Sequence, residues 1–371
     1  MRCLIDLEER RLEVLVRVDS SYQIGSGHVV RCLTLAKELR EKGARVRFVS
    51  RPHEGNVLDL VKEQLFELHL LDIDGGTNEE PLMYGDWLGG SQNRDAELCE
   101  NIIKKHFQSS PDWIIVDHYS LSSLWERRLG DGSRIFVCDD LADRVHDCDL
   151  LLDSTHGRPK TDYAGLVPHD CQILAGSSYA ILRDEFDVDA QSILSIRKKS
   201  IGREIKRILV MMGGTDHTNI SMRVLRSLNE LNISATVTVV LGKTAPYIDE
   251  VREFCSSTVG YELIVGTNEV SKIMMDHDIC IGAAGTSSWE RCALGLPSAL
   301  VVFAENQRLI AANLEGSGAI RYLPTDFDKE ELQETIRLIF EEDTYLKMVS
   351  NCLSICDGRG VSRICRELMY G

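Results

Sequence analysis

Short apolar runs alternate along the chain with stretches in which apolar residues recur at helical spacing. The amphipathic segment from His28 to Lys42 is the clearest of these stretches. Near-continuous apolar runs are typical of parallel strands that helices cover on both faces. The first half is therefore predicted to be a doubly wound α/β domain, with strands at residues 12–19, 45–50, 66–72, 113–119 and 134–140.

The pattern weakens over residues 153–186 and restarts after a basic segment at 195–206. New apolar runs follow at residues 207–214, 235–242, 261–266, 279–285 and 298–303. We place the domain junction here, which gives an N-terminal domain at 1–190 and a C-terminal domain at 191–371. The tail after Lys329 is predicted to be helical, and its last helix could cross back onto the first domain.

The predicted fold class is α/β, with two Rossmann-like domains facing a cleft. A chain of 371 residues has the length of two ordinary domains. In doubly wound sheets, ligands bind beyond the carboxyl ends of the strands, where loops converge. We therefore expect the residues that carry chemistry to follow the predicted strands directly.

Composition narrows the class of ligand and the cell compartment. A formal net charge of −16 disfavours nucleic acid, because the chain repels a phosphate backbone at long range. The twelve cysteines form no CxxC pair, which favours reduced thiols. The charged N-terminus does not have the pattern of a signal peptide, and no apolar run approaches membrane-spanning length. We expect a cytoplasmic protein with no membrane contact and find no sign of an obligate protein partner.

Two motifs of the first domain could carry catalysis. In RVDSSYQIGSGH (17–28), Gly25 and Gly27 permit a tight turn that places His28 at the start of a helix, where it could act as a general base or merely pack. After the strand at 113–119, Tyr119 could orient His28 or a water molecule, or only pack. The GxxxxGK[ST] motif is absent and the third glycine of GxGxxG is replaced, so neither ATP nor NAD is implied and no cofactor is expected.

Two glycine-led turns of the second domain could cradle a diphosphate. They contribute backbone N–H groups, hydroxyls and one carboxylate, and their candidate substrate-binding residues are Gly213, Gly214, Thr286, Ser287 and Glu290. A carboxylate at position 290 could accept hydrogen bonds from both ribose hydroxyls. Asn306 and Gln307, in the motif ENQ, could supply amide groups to the same cleft. Together the two turns favour a diphosphate nucleotide over plain helix caps.

No metal site is expected. Two DxD patterns, Asp72 to Asp74 and Asp187 to Asp189, are interpreted as surface turns. The adjacent Asp139 and Asp140 could bind a metal, but no nearby histidine spacing supports one. Five further histidines are interpreted as surface or structural residues, at positions 53, 106, 146, 169 and 277.

Taken in order, the motifs between Val14 and Pro324 resemble one family, the UDP-2,4-diacetamido-2,4,6-trideoxy-β-L-altropyranose hydrolases of pseudaminic acid biosynthesis. The matching stretches are RVDSSYQIGSGHVVRCLTLA, WLGGSQNRDA, IIVDHY, CDDLADRVHDCDLLLD, YAGLVPHDCQILAGSSYAILRDEF, MMGGTDHTNIS, GTSSWERCALGLP and AENQ. The resemblance implies a fold similar to the GT-B glycosyltransferases that make the peptidoglycan lipid precursor. Departures are the residues before the first strand and Ser26, which replaces a commoner bulky residue.

The resemblance also implies roles for single residues. His28 matches the family's general base, Tyr119 its catalytic-site tyrosine, Asn306 the asparagine beside the sugar, and Asn219 and Glu290 its nucleotide-sugar ligands. The implied reaction is metal-independent attack of water at the anomeric carbon, releasing UDP. Two alternatives stay open: an inverting GT-B glycosyltransferase that uses a UDP-sugar donor, and a non-catalytic UDP-sugar-binding protein.

Overall fold

A seven-stranded parallel sheet organises the first half of the protein. The computed structural model describes residues 11–73, 75–202 and 204–371. The strands lie in the order β3-β2-β1-β4-β5-β6-β7. Their bounds are β1 (Glu13–Val18), β2 (Arg45–Ser50), β3 (Glu67–Leu70), β4 (Trp113–Asp117), β5 (Arg134–Cys138), β6 (Leu150–Asp153) and β7 (Gln172–Ala175). The associated helices are α1 (Gly27–Glu41), α2 (Asp59–Glu63), α3 (Gln92–His106) and α4 (Ser123–Leu129).

A six-stranded parallel sheet organises the second half, in the order β10-β9-β8-β11-β12-β13. A helix, α5 (Ala190–Lys198), precedes it. The strands are β8 (Arg207–Met211), β9 (Thr236–Leu241), β10 (Tyr261–Val265), β11 (Ile279–Ala283), β12 (Ser298–Val301) and β13 (Ile320–Leu323). The helices are α6 (Ile220–Glu230), α7 (Ile248–Ser257), α8 (Val270–Asp276), α9 (Ser287–Ala293), α10 (Arg308–Gly316), α11 (Lys329–Ile339), α12 (Glu342–Ile355) and α13 (Gly360–Tyr370).

Each sheet is buried on both faces. Successive side chains of a strand point to opposite faces, and each of the two sets lies in an apolar core. On β1, Val14 and Val16 belong to one apolar core of the first domain, and Leu15 belongs to the other. On β8, Ile208 and Leu209 are divided between two cores in the same way. This two-sided burial is the reason for the near-continuous apolar runs in the sequence.

The last helix, α13, packs on the first sheet. Ile364 and Leu368 are buried in the same core as Val14, and the Trp113 indole donates a hydrogen bond to the Leu368 carbonyl at 2.8 Å. The chain therefore crosses between the two sheets twice. The division at residue 190 stays a prediction, and the predicted extension before the first strand lies, up to residue 10, outside the described residues.

Three short strands, β6, β7 and β13, were not predicted from the apolar pattern. Each has four residues, too few to establish a period. The strands β3 and β12 are equally short, but they lie in longer runs of the sequence, at 66–72 and 298–303. The stretch at residues 75–90, called the insert below, has no regular structure apart from a 3-10 turn at Gly85–Leu88. Within the part of the chain that the structure describes, no helix is both long and apolar enough to cross a membrane.

Candidate active site

The turn after β1 aims the start of α1 at the cleft between the domains. Ser21 Oγ accepts hydrogen bonds from the amides of Gln23 and Ile24, and the Gly25 amide donates to the Ser21 carbonyl. Gly25 has a φ of +79°, a conformation that costs glycine little. Helix α1 then begins at Gly27. His28 is consequently fixed in the first turn of the helix, as the glycine spacing predicted.

His28 is held by the carboxylate at the end of β4. Its Nδ1 lies 2.5 Å from Asp117 Oδ1, and 10% of its side chain is exposed. A carboxylate can only accept a hydrogen bond, so the contact assigns the proton to Nδ1 and leaves the lone pair on Nε2. A carboxylate that orients a histidine in this way is a recurring arrangement for general bases. From the sequence, Asp117 at the end of this strand could equally have been a helix cap; in the structure its carboxylate contacts His28 instead.

Arg31 binds the same carboxylate from one turn further along α1. Its Nε and NH2 atoms donate to the two oxygens of Asp117 at 2.5 and 2.7 Å, and its NH1 donates to Asp140 Oδ2 at 2.7 Å. Burial alone would raise the pKa of Asp117, but the Arg31 guanidinium and His28 outweigh it and hold that pKa below its ordinary value. Asp117 therefore stays ionised. The sequence analysis assigned Arg31 no role in the site.

Tyr119 joins this network from the loop after β4. Its ring lies edge-on to the His28 imidazole with centroids 4.8 Å apart, and its hydroxyl donates to Asp140 at 2.8 Å. Burial and the nearby Asp140 carboxylate raise the pKa of Tyr119, so the phenol stays protonated. Tyr119 therefore packs against the imidazole and is tied to Arg31 through the carboxylate they share.

The insert at residues 75–90 covers Tyr119 with two aromatic rings. Trp87 stacks on Tyr119 with centroids 6.0 Å apart, and Tyr84 lies 4.3 Å from Trp87 and 5.6 Å from Tyr119. The side-chain amide of Asn78 anchors the segment by donating to the Ser120 carbonyl at 2.8 Å. The insert therefore extends the aromatic surface that begins at His28.

Loops of the second domain approach the His28 turn directly. A Cβ atom built on Gly214 would lie 2.5 Å from Ser26 Oγ, and one built on Gly27 would lie 3.5 Å from Thr286 Oγ1. Position 214 thus excludes any side chain unless Ser26 moves. The neighbouring Gly213 has a φ of +88°. The two glycine-led turns predicted to bind a diphosphate therefore face the turn that carries the predicted base.

Glu290 lies in the wall of the cleft between the domains. This wall also includes Gly27, Arg31, Arg183 and Thr286. Burial raises the pKa of Glu290, and the Arg183 guanidinium, 3.8 Å away, acts against that shift. Arg183 Nε is buried and has no hydrogen-bond partner in the described structure. A partly buried carboxylate and an incompletely paired guanidinium are polar groups that a ligand could satisfy.

Three other predicted site residues have protein partners, and the side chain of a fourth is not described. The Asn219 amide donates to Glu250 at 2.8 Å, while its Oδ1 is buried without a partner. Gln307 Oε1 accepts from the Phe303 amide, and Ser287 Oγ accepts from Arg291. The structure describes the backbone of Asn306, in the 3-10 turn 305–307, but its side chain lies outside the described residues.

Four of the acidic residues considered for metal binding have other partners: Asp139, Asp140, Asp187 and Asp189. Arg144 NH1 donates to Asp139 at 2.8 Å, Asp187 pairs with Arg359, and Asp189 caps α5. Asp74 lies outside the described residues. Chelation by Asp139 and Asp140 would have to replace arginine contacts on both carboxylates, so their donor set fits structural ion pairs better than a cation.

Comparisons with known proteins agree with this architecture. Residues 207–358 match the family model for the glycosyltransferase family 28 C-terminal domain. The chain is 28% identical over 310 residues to the UDP-2,4-diacetamido-2,4,6-trideoxy-beta-L-altropyranose hydrolase of Campylobacter jejuni, covering 83% of this chain and 97% of that protein. It is 22% identical to the spore coat polysaccharide biosynthesis protein SpsG of Bacillus subtilis, covering 95% and 96% of the two chains.

Among solved structures, MurG of Acinetobacter baumannii aligns with a TM-score of 0.67 at 13% identity, covering 97% of this chain and 100% of that one. The predicted fold, α/β with two Rossmann-like domains in a GT-B-like arrangement, is confirmed. The resemblance indicated by the ordered motifs is confirmed as well: over most of its length the chain is similar to a UDP-2,4-diacetamido-2,4,6-trideoxy-beta-L-altropyranose hydrolase, and its second half contains a match to the glycosyltransferase family 28 C-terminal domain.

Proposed function

We propose that this protein hydrolyses UDP-2,4-diacetamido-2,4,6-trideoxy-β-L-altropyranose to UDP and the free sugar, a step of pseudaminic acid biosynthesis in the cytoplasm. The observation that carries the proposal is the contact between His28 Nδ1 and Asp117, beside the cleft onto which the glycine-led turns of the second domain open. The similarity to the Campylobacter jejuni hydrolase supports the choice of substrate. No protein partner is needed for this reaction.

In the proposed mechanism, His28 Nε2 removes a proton from a water molecule in the cleft. The water oxygen forms a bond to the anomeric carbon while the bond from that carbon to the UDP oxygen breaks. Attack opposite the leaving group inverts the anomeric configuration. Asp117 keeps the imidazole oriented and stabilises its protonated form, as the carboxylate of a catalytic triad does. UDP leaves with the bonding electron pair, and His28 returns its proton to solvent.

The second domain, proposed as 191–371, would hold the nucleotide. Backbone N–H groups near Gly213 and Gly214, with the Thr286 and Ser287 hydroxyls, can neutralise charge that develops on the diphosphate. The Glu290 carboxylate would accept hydrogen bonds from the ribose hydroxyls. We retain Asn219 and Gln307 as substrate contacts, which requires both side chains to exchange their present protein partners for ligand.

The first domain would bind the sugar. Tyr119 and the rings of the insert offer an apolar surface against which the methyl group of a 6-deoxy sugar can pack, since aromatic faces bury apolar area well. Asn306 would contact the sugar from the second domain. Gly25 and Gly27 allow the backbone of the turn to approach the sugar closely. Ser26, smaller than the residue the family commonly has, would leave more room beside the base.

The proposal is tested by incubating purified protein with the altrose-configured UDP-sugar, without acceptor, in water enriched in oxygen-18. We expect UDP release, with the heavy oxygen on the sugar and none in UDP, and an inverted first-formed anomer by NMR. UDP-N-acetylglucosamine serves as the control substrate. Heavy oxygen in the UDP would mean attack at phosphorus and would overturn the mechanism.

A GT-B glycosyltransferase is the second candidate, favoured by the match at residues 207–358. It would release UDP only when an acceptor hydroxyl is supplied. A non-catalytic binding protein would bind the UDP-sugar and release no UDP under either condition.

Because we propose a metal-independent site, saturating chelator should leave UDP release nearly unchanged. Loss of activity restored by magnesium or manganese would show that a cation holds the leaving group.

A further inference from the structure

Two histidines and a glutamate converge on the edge strand of the first sheet. Glu67 and His69 are two residues apart on β3, so their side chains project from the same face of the strand. His106 is the last residue of α3. In a parallel sheet the connecting helices run back towards the amino ends of the strands. The cluster therefore lies away from the strand ends that carry His28 and Asp117.

The three potential ligand atoms are already close together. Glu67 Oε1 lies 3.2 Å from His69 Nε2 and 3.7 Å from His106 Nδ1, and the atoms of the group all lie within 4.8 Å of one another. Tetrahedral zinc with ligand bonds of about 2.0 to 2.1 Å separates neighbouring ligand atoms by roughly 3.3 Å. The spacing therefore needs little adjustment to surround such an ion.

The ring nitrogen of His69 is open to a ligand. His69 Nε2 is buried, and within the described structure it has no hydrogen-bond partner of acceptable geometry. The two imidazole rings lie 4.2 Å apart, centroid to centroid. His106 and Glu67 are partly exposed, at 31% and 39% of their side chains, so an ion can reach the group.

Two arginines fix the orientation of the carboxylate. Arg47 Nε donates to Glu67 Oε2 at 2.9 Å, and Arg45 NH2 lies 3.5 Å from the same oxygen. The other oxygen, Oε1, is thereby directed to the histidines. Arg47 is also paired with Glu13, which offsets its charge. Outer contacts that orient a ligating carboxylate are common around protein metal sites.

We propose that Glu67, His69 and His106 form a binding site for a divalent transition-metal ion, with zinc as the ion whose ligand preference fits two imidazoles and one carboxylate. A bound ion would join the edge strand β3 to the end of α3, and water would complete its coordination. The site is structural. It is separate from the proposed hydrolysis, which we expect to continue without the ion.

The test is calorimetric titration of zinc chloride into the full chain after removal of metal with chelator. The wild-type protein should bind zinc with one equivalent assigned to this site, and zinc should raise its melting temperature. His106→Gln and Glu67→Gln should each weaken that binding about tenfold or more. His169→Gln, which changes an exposed histidine outside the cluster, is the matched control and should bind as the wild type does.

Two results would overturn the site: no zinc binding by the wild-type chain, or wild-type affinity in both His106→Gln and Glu67→Gln. Circular dichroism of each variant without metal separates loss of a ligand from loss of the fold. UDP release measured on the same samples is an independent readout. The zinc titration therefore tests the metal site independently of whether the protein is a hydrolase.

Discussion

His28 Nδ1 and Asp117 Oδ1 are 2.5 Å apart, although 89 residues separate them in the chain. The contact forms because β1 and β4 are neighbours in the sheet, with Val18 in register with Asp117. The turn after β1 therefore begins beside the carboxylate that ends β4. This pairing is the basis of the first two predictions.

Replacing His28 by alanine or asparagine should leave UDP affinity within a few-fold and lower kcat about 100-fold or more, as expected for loss of a general base. Turnover and UDP titration on the same preparation measure the two effects. The exposed His169→Asn is the control. Parallel loss of UDP binding and folding would show that His28 serves packing instead.

Asp117→Asn should lower kcat by about 100-fold or more while UDP affinity stays near the wild-type value, because an amide can present its N–H to Nδ1 and stabilise the wrong tautomer. Asp147→Asn is a suitable control, since Asp147 forms a surface pair with Arg127 at 3.3 Å. If Asp117→Asn keeps wild-type kcat, the carboxylate does not orient the base.

Glu290→Gln and Asn219→Ala should each weaken UDP binding, because each removes a polar partner proposed for the nucleotide and leaves His28 in place. Calorimetry with UDP measures the effect. Glu253→Gln, on the exposed side of α7, is the matched control. Unchanged UDP affinity in a variant would remove that residue from the site; for Asn219 this would mean that its bond to Glu250 is structural only.

Trp87→Ala should raise KM for the UDP-sugar and leave the affinity for UDP alone unchanged, because the ring stacks on Tyr119 in the domain proposed to bind the sugar. Steady-state kinetics and UDP titration separate the two. Met83→Ala alters a side chain of the same insert that is 68% exposed and should match the wild type. A loss of UDP affinity equal to the rise in KM would contradict a sugar-specific role.

The buried Asp139 should contribute to the pH dependence of stability. Burial alone would raise its pKa, but Arg144 and His146 outweigh it and lower the pKa below its ordinary value. A carboxyl with a lowered pKa in the folded state stabilises the fold above its unfolded pKa of about 3.9, and that contribution is lost as pH falls. Urea unfolding between pH 6 and pH 2 should therefore show stability that falls mainly below about pH 5.

Asp139→Asn should be less stable at pH 7 by about 3 kcal/mol, since it removes the buried carboxylate partner of Arg144 and leaves that guanidinium paired with the part-exposed Asp143 alone. Its free energy of unfolding should also change less between about pH 5 and pH 2 than that of the wild type. Asp131→Asn, an exposed change in a turn, controls for loss of a carboxylate. An identical pH dependence in Asp139→Asn and the wild type would refute this account.

The apolar pattern was sufficient to predict most of the strands and the fold class. Ten strands were predicted because each lies in a run of six or more residues that stands out from isolated apolar residues. The strands β6, β7 and β13 do not lie in such a run and were not predicted. Glycine spacing predicted the turn before His28, since only a backbone tolerant of positive φ forms it cheaply there. These are local properties of the chain.

The sequence by itself determined the two sheets, their two-sided burial and the placement of polar motifs at strand ends. Only the tertiary structure decided which side chains contact one another in the candidate site. Arg31, Asp117 and Asp140 come from three elements, and their distances depend on strand order and side-chain rotamers, which no local pattern encodes. The same is true of the stacking of Trp87 on Tyr119: the insert has no periodicity, and long-range packing alone gives it a position.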